Sequence, residues 1–494
     1  MTFTSLVFLL FLPTVLAVYW LLGRRCLQNS LLVLASYFFY GWWDVRFCGL
    51  MLISSLVDFG IGLSMDRSQS DRTRKWLLWL SIGCNLGLLA AFKYANFFLD
   101  SFRQFGDLFG FNMSSGTLEI VLPVGISFYT FQTLSYTIDI YRRRLQPTKI
   151  LVDYLAFVSF FPQLVAGPIE RASRLLPQFQ QSRSFDGAAF ACGLRRILWG
   201  FFKKIVIADS LAGLVTEAYA NPASASGPQL FLATVLFSFQ IYCDFSAYSD
   251  IAIGTARLFN IRLMQNFAYP YFSQSLGEFW QRWHISLSTW FRDYVYIPLG
   301  GNRGSAARRG WNVVLTFLVS GLWHGAAWRF VAWGALHGAT LTCGRRGNPS
   351  PGKENRHKTT PEERPGGERL VPTLGTLARM LTVFVVVCLF WVFFRANSLA
   401  DALLIFQKIV ADIFNFGAYQ AVWQGYILRG PLFHVANVLI VFVLIEWCHR
   451  HMPYPLQIDH WPKPSRWVAY TLVFWFVAEY ADTAPANPFI YFQF

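Results

Sequence analysis

Long apolar segments recur along almost the whole chain, and short polar stretches separate them. Because a perpendicular membrane helix needs about 20 apolar residues, most of these segments have the length of a span or come close to it. The pattern predicts spans at 3–22, 30–43, 47–65, 76–92, 118–139, 151–167, 188–208, 228–258, 312–342, 372–394, 432–449 and 465–481. We therefore expect an all-α, multi-pass integral membrane protein with about 11–12 spans.

Some segments do not have the length of a simple span. Residues 30–43 are too few for one crossing, whereas 228–258 and 312–342 are longer than one crossing requires. Such pieces are typical of tilted or re-entrant helices, whose irregular backbone is tolerated only inside protein or beside a water-filled cavity. The stretch 260–310 is less hydrophobic and rich in Trp and Tyr, which favours re-entrant or interfacial helices there.

One polar segment, at residues 344–370, interrupts the apolar pattern. Residues 344–369, GRRGNPSPGKENRHKTTPEERPGGER, combine proline, glycine and many charges, and such a composition cannot bury enough apolar surface to fold alone. We predict a flexible cytoplasmic linker at this place. It would separate a membrane core at residues 1–343 from C-terminal transmembrane helices at 371–494.

The composition agrees with a membrane protein. The chain is 54% hydrophobic and 14% charged, whereas a soluble domain has about 25% charged residues. Its net charge of +15 does not indicate a nucleic-acid partner, because the basic residues form short clusters between apolar segments, for example at 142–144 and 195–204. Cytoplasmic loops have this character under the positive-inside rule, and we expect a lipid bilayer as the surroundings.

Two histidines are candidates for chemistry. His324 lies in the middle of a long apolar segment, and Gly321 and Gly325 flank it. An ionisable side chain at membrane depth costs free energy, so its presence there indicates a function. His284 lies in the aromatic stretch FWQRWHISLS. A neutral histidine that only packs is the alternative, and it is stronger for His284, because an interfacial histidine costs little. The ordinary pKa of histidine, about 6.5, suits a general base.

A glycine-rich turn, GGNRGSAARRG at Gly300–Gly310, carries Arg303, Arg308 and Arg309. Guanidinium groups bind phosphates through paired hydrogen bonds, so the turn is a candidate site for the phosphates of coenzyme A. A plain positive-inside loop explains it equally well. The chain has no Walker loop, nucleophile elbow, HExxH or CxxC pattern, so we predict neither a metal site nor a permanently bound cofactor.

Several sequence blocks closely resemble the membrane-bound O-acyltransferase (MBOAT) family. Within it, the nearest branch is that of the membrane subunits that O-acetylate alginate and other polysaccharides. The resemblance covers most of the chain up to the linker. Its blocks include FFPQLVAGPIER (160–171). The two blocks with the histidines, QNFAYPYFSQSLGEFWQRWHISLSTWFRDYVYIPLGGNR (265–303) and GLWHGAAWRFVAWGALHG (321–338), are together highly specific.

The resemblance implies a ring of tilted helices around a central funnel in a bacterial inner membrane. His324 matches the catalytic histidine of the family, and His284 matches its second active-site position, which would orient or polarise the acyl group. Acetyl-CoA from the cytoplasm would be the donor, with Arg303, Arg308 and Arg309 as candidates for its phosphates. The acceptor would be a polysaccharide hydroxyl or a periplasmic acetyltransferase partner. His324 could act as a general base or carry an acetyl group, and both mechanisms stay open.

Other functions remain as alternatives. Related enzymes acetylate cellulose or peptidoglycan, or transfer D-alanine to teichoic acid. A non-catalytic transporter is the alternative from another class, although transporters more often show internal repeats and intramembrane acid–base relays, and no repeat is evident here. The acidic residues that such a relay would use are Asp58, Asp139, Asp244 and Asp250.

Overall fold

The computed structural model of the protein describes residues 1–111, 120–344, 371–428, 432–483 and 487–490. These residues form helices joined by short turns, with no strand in any of those ranges. The chain divides into two compact units. They are Met1–Leu194 with Ala252–Met264, and Arg195–Ile251 with Gln265–Phe494. The prediction of an all-α protein is confirmed.

The first unit contains a series of helices near the N-terminus. They are α1 (Leu6–Leu21), α2 (Arg25–Gly41), α3 (Val45–Arg67), α4 (Asp71–Leu89), α5 (Ala95–Asp107), α6 (Ile126–Tyr141), α7 (Leu151–Ser159), α8 (Phe161–Leu164), α9 (Ala172–Gln180) and the first part of α10 (Gly187–Phe201). Helices α1, α3 and α4 begin after Ser5, Asp44 and Ser70, whose side chains accept a backbone N–H of the first turn. These caps satisfy donors that a helix start leaves open.

The second unit contains the candidate catalytic residues. Its helices are α11 (Asp209–Ala220), most of α12 (Gly227–Leu258), α13 (Leu276–Arg282), α14 (Ile285–Phe291), α15 (Ala306–His324), α16 (Trp328–Gly344), α17 (Leu374–Arg395), α18 (Leu399–Ala411), α19 (Phe416–Val422), α20 (Leu432–Cys448) and α21 (Lys463–Thr483). π-Helical turns at Phe202–Ala208 and Arg292–Tyr296 extend α10 and α14.

Within the described ranges, four helical stretches are long and apolar enough to cross a membrane: Val45–Arg67, Asp71–Asp107, Gly227–Leu258 and Leu374–Arg395. Other predicted spans correspond to shorter helices. The predicted span 151–167, for example, is divided at Phe160 into α7 and α8. Pro162 stands in the first turn of α8, where its missing N–H costs nothing, whereas it would break a continuous helix.

The predicted single span 312–342 was wrong, because the chain forms a helical hairpin there. Helices α15 and α16 pack against each other and are joined by the short turn at 325–327. A Cβ atom at Gly321 would lie 2.2 Å from the carbonyl oxygen of Phe330, and one at Gly334 would lie 2.2 Å from that of Phe317. The two glycines therefore allow the close approach of the helices, and apolar character alone did not reveal the turn.

The basic cluster at 195–204 was also wrongly read as a loop. It lies in α10 and the following π-helical turn, and Arg196, Lys203 and Lys204 are buried. Arg196 and Lys203 both pair with Asp250, at 2.8 and 2.6 Å, and Lys204 pairs with Asp244 at 2.8 Å. Buried charges must be paired, and these basic residues form ion pairs inside the protein. They therefore do not indicate a cytoplasmic loop.

The predicted linker at 344–370 lies outside the described residues except for Gly344, and so does the start of the predicted span 118–139. The division into 1–343 and 371–494 therefore stays a prediction. The ring of helices around a funnel also stays a prediction.

Candidate active site

His284 lies in the turn between α13 and α14. Helix α13 begins at the cap Ser275 and contains an ion pair of 2.6 Å between Glu278 and Arg282, one helical turn apart. His284 has a φ angle of 42°, in the left-handed region that few residues other than glycine adopt. Such strain persists where the surroundings over-determine it, which is common at functional sites.

Asn266 is the polar partner of His284. Its Oδ1 lies 3.1 Å from Nδ1 of His284 and accepts hydrogen bonds from the hydroxyl (2.9 Å) and the backbone N–H (3.3 Å) of Ser286. Its Nδ2 donates to Oγ of Ser249 at 3.0 Å. All four side chains are buried. Asn266 was not predicted from the sequence, because it lies in a non-helical segment where no periodicity marks it.

The surroundings of His284 favour its neutral form. The residue lies outside the helices that are long enough to cross a membrane, and it is fully buried. Burial lowers the pKa of His284 to about 3, because the imidazolium ion loses its hydration. At neutral pH the imidazole is therefore uncharged, with one N–H and one lone pair.

His324 ends helix α15 and is enclosed by aromatic rings. Its ring centroid lies 5.0 Å from that of Trp323, 5.1 Å from Trp333 and 5.3 Å from Phe394. The side chain is 5% exposed. An apolar wall of this kind excludes water and strengthens electrostatic interactions at the imidazole.

The structure brings the two predicted histidines together. The ring centroids of His284 and His324 are 6.4 Å apart, with the planes inclined by 59°. Trp323 contacts both rings, at 6.0 Å from His284 and 5.0 Å from His324. The two imidazoles, separated by 40 positions in the sequence, can therefore act on one small reacting group.

The predicted arginines lie elsewhere. Arg303, Arg308 and Arg309 are exposed, in the turn before α15 and in the first turn of that helix. Arg309 donates to the carbonyl oxygen of Gly304 at 3.1 Å. Because Arg308 and His324 belong to the same helix, they are about 24 Å apart along its axis. The arginines are thus at the opposite end of α15 from the histidines.

His337 is a third buried histidine and has a packing environment. Its Nδ1 accepts a hydrogen bond from Nε1 of Trp280 at 3.3 Å, and the rings of Phe390 and Trp333 lie 4.8 and 4.9 Å away. It stands in the middle of α16, thirteen positions after His324, and not at the end of a helix. These contacts support a structural role for His337.

The acidic residues that a transporter relay would use are buried and have partners. Asp58 accepts hydrogen bonds from a serine and an asparagine of α4, and Asp244 and Asp250 pair with buried lysines. Asp139 is also buried. Within the part of the chain that the structure describes, no three His, Cys, Asp or Glu side chains are grouped to hold a metal ion.

Comparison with known proteins finds a matching family model and several similar chains. Residues 143–346 match the model of the MBOAT, membrane-bound O-acyltransferase family. The chain is 42% identical over 425 residues to the probable alginate O-acetylase AlgI of Pseudomonas aeruginosa, covering 85% of this chain and 76% of the relative. It is 43% identical over 448 residues to that of Azotobacter vinelandii, covering 90% and 84%. It is 33% identical over 508 aligned positions to the peptidoglycan O-acetyltransferase of Helicobacter pylori, covering 94% and 91%.

Proposed function

Because the chain belongs to the membrane-bound O-acyltransferase family, we propose that it O-acetylates an exopolysaccharide of the alginate type. It is a membrane-embedded acyltransferase, and we place it in a bacterial inner membrane. One observation carries the proposal: a chain 42% identical to an alginate O-acetylase brings two buried histidines to within 6.4 Å of each other, measured between ring centroids.

In the proposed reaction the acceptor hydroxyl attacks the carbonyl carbon of the acetyl thioester. His324 takes the hydroxyl proton as the new C–O bond forms. When the tetrahedral intermediate collapses, the C–S bond breaks, and the imidazolium of His324 returns the proton to the leaving thiolate. His284 is the second site residue and keeps the reacting groups in place. A route through acetyl-histidine also balances, with His324 as the attacking nucleophile.

The donor in this proposal is cytoplasmic acetyl-CoA. Arg303, Arg308 and Arg309 are exposed, which suits their guanidinium groups to bind its phosphates. Helix α15 would then link donor binding at its N-terminal end with chemistry at His324, about 24 Å further along. An extended coenzyme arm would run beside this helix.

The acceptor is a polysaccharide hydroxyl on the outer side, reached directly or through a periplasmic acetyltransferase partner. Peptidoglycan is the second candidate, because the Helicobacter pylori relative named for it aligns over 94% of this chain. Both candidates need the same donor and the same pair of histidines. They differ only in what presents the hydroxyl.

Acetyl transfer is tested with the purified full-length protein in liposomes. Acetyl-CoA labelled in the acetyl group is added on the side of the basic turn, and free CoA thiol and label on alginate or on peptidoglycan fragments are measured. Transfer to alginate supports the main proposal, and transfer to peptidoglycan alone supports the second candidate. Passage of an acetylated solute without CoA release would indicate a transporter and contradict both.

A further inference from the structure

We infer that Asn266 is a positioning residue, which keeps His284 in the tautomer protonated at Nδ1 so that Nε2 carries the lone pair used at the reaction centre. The use of this lone pair in acyl transfer rests on the proposed function. The tautomer itself follows from the hydrogen bonds around Asn266.

The orientation of the Asn266 amide is set by a backbone group. The N–H of Ser286 can only donate, and it points to the amide atom that also lies beside His284, at 3.3 Å. That atom must therefore be the oxygen, Oδ1. The other end of the amide, Nδ2, donates to Ser249 at 3.0 Å. A flipped amide would place a donor against the Ser286 N–H and lose that hydrogen bond, whereas the Ser249 hydroxyl could pair with either end of the amide.

The proton on His284 follows from that orientation. Oδ1 of Asn266 has no hydrogen to give, so Nδ1 of His284, 3.1 Å away, must be the donor of their hydrogen bond. The hydroxyl of Ser286 does not compete for this nitrogen, because it lies 2.9 Å from Oδ1 but 3.5 Å from Nδ1. A neutral imidazole that donates from Nδ1 has its lone pair on Nε2.

A backbone hydrogen bond also connects the segments that carry Asn266 and His284. The N–H of Ile285, the residue after His284, donates to the carbonyl oxygen of Asn266 at 2.9 Å. Together with the side-chain bonds, it links the extended segment at Asn266 to the start of α14 at two points. The left-handed conformation of His284 is therefore maintained by the same neighbour that selects its tautomer.

Behind Asn266 lies a polar cavity of about 20 Å³, enough for a single water molecule. Ser249 and Asn266 line it, and so do Lys203, Asp250 and Glu446. Asn266 lines this cavity, and His284 does not. On the other side, the titratable neighbour in ring contact with His284 is His324 of α15. From α12, the phenyl ring of Phe245 packs against the imidazole, with 4.6 Å between centroids.

The tautomer defines what His284 can do in the reaction. A lone pair at Nε2 accepts a hydrogen bond, for which a second hydroxyl of the sugar is a suitable donor, because the attacking hydroxyl gives its single proton to His324. The lone pair cannot polarise the carbonyl oxygen of the acyl group, because this requires an N–H. The family resemblance left the role of His284 as orienting or polarising, and the hydrogen bonds of Asn266 favour the orienting role.

The test compares Asn266→Asp and Asn266→Ala with the matched control Ser249→Ala, in the full-length protein in lipid nanodiscs. The first measurement is the ¹⁵N NMR spectrum of histidine-labelled protein, with the His284 signals identified by their loss in His284→Gln. The second is the pH dependence of kcat for acetyl transfer. We expect wild-type His284 to show a single tautomer protonated at Nδ1.

In Asn266→Asp a carboxylate takes the place of the amide oxygen and favours the imidazolium ion. An opposite charge at this distance raises a pKa by about one to three units, so the acid limb of the kcat profile should move to higher pH by about one unit or more. Asn266→Ala should give a mixture of tautomers and lower kcat about 10- to 100-fold, a loss of the size seen when the hydrogen-bond partner that orients a metal-binding histidine is removed. Ser249→Ala should change neither the tautomer nor the acid limb.

A wild-type His284 protonated at Nε2 would overturn the inference, whether or not the variants fold. An unmoved acid limb in Asn266→Asp, together with a single tautomer in Asn266→Ala, would overturn it as well. The experiments can reject the proposed acetyl transfer and the inferred tautomer of His284 independently of each other. A wild-type protein with the expected tautomer but without acetyl transfer would reject the proposed function and leave the role of Asn266 in setting the tautomer intact.

Discussion

His284 and His324 are buried to almost the same extent but are positioned by different interactions. His284 occupies a strained turn, and its Nδ1 is hydrogen-bonded to Asn266. His324 ends a regular helix and is surrounded by the rings of Trp323, Trp333 and Phe394. The hydrogen bond to an oriented amide selects one tautomer of His284, and the ring contacts around His324 fix the position of its imidazole. In the proposed reaction His324 transfers the proton, and the inferred tautomer makes His284 a constant hydrogen-bond acceptor.

The strongest test of this assignment is His324→Ala. We expect a loss of acetyl transfer of about 100- to 10,000-fold, the contribution typical of a general base, in a protein that still folds and inserts. The measurement is acetyl content of the polymer and CoA release, with the unfolding temperature as the check on folding. His337→Ala is the matched control, since His337 is buried in the same helical hairpin, and its activity should stay near that of the wild type. Normal polymer acetylation in His324→Ala would reject its catalytic role.

A smaller effect is expected for His284→Gln. Glutamine keeps a polar side chain at this position but cannot reproduce the imidazole geometry, so the acceptor hydroxyl would be less well oriented. We expect kcat to fall about 10- to 100-fold, with little change in KM for acetyl-CoA. Steady-state kinetics over a range of acetyl-CoA concentrations measure both constants. If kcat in His284→Gln fell as far as in His324→Ala, the proposed division of roles between the two histidines would be wrong. Both histidines would then be required for proton transfer.

The smallest effect is expected for Arg308→Ala, at the far end of α15. If Arg308 binds a phosphate of the donor, KM for acetyl-CoA should rise about three- to tenfold while kcat is unchanged, because this contact is the same in the ground state and the transition state. Arg72→Ala is the matched control, because Arg72 is also an exposed arginine in the first turn of a helix. An unchanged KM would mean that the arginines of the turn serve only membrane topology.

Much of the fold and part of the site could be predicted from local pattern. Apolar segments predicted membrane helices, and the cost of an ionisable group among them singled out His324. The pattern failed where apolar character was continuous across a turn, as between α15 and α16, because hydropathy does not change when a helix reverses. It failed again for Arg196 and Lys203, whose carboxylate partner Asp250 lies about 50 positions away in the sequence.

The sequence alone determined the class of protein, because the low fraction of charged residues and the length of the apolar segments fit a membrane protein. The sequence motifs identified the family. Only the tertiary structure decided which residues form the site. His284, Asn266 and His324 come from three separate stretches of chain, and their contacts depend on how α14 and α15 fold together with the segment before them. The tautomer of His284 depends on one amide oxygen 3.1 Å away, and no periodicity or composition encodes a distance of that kind.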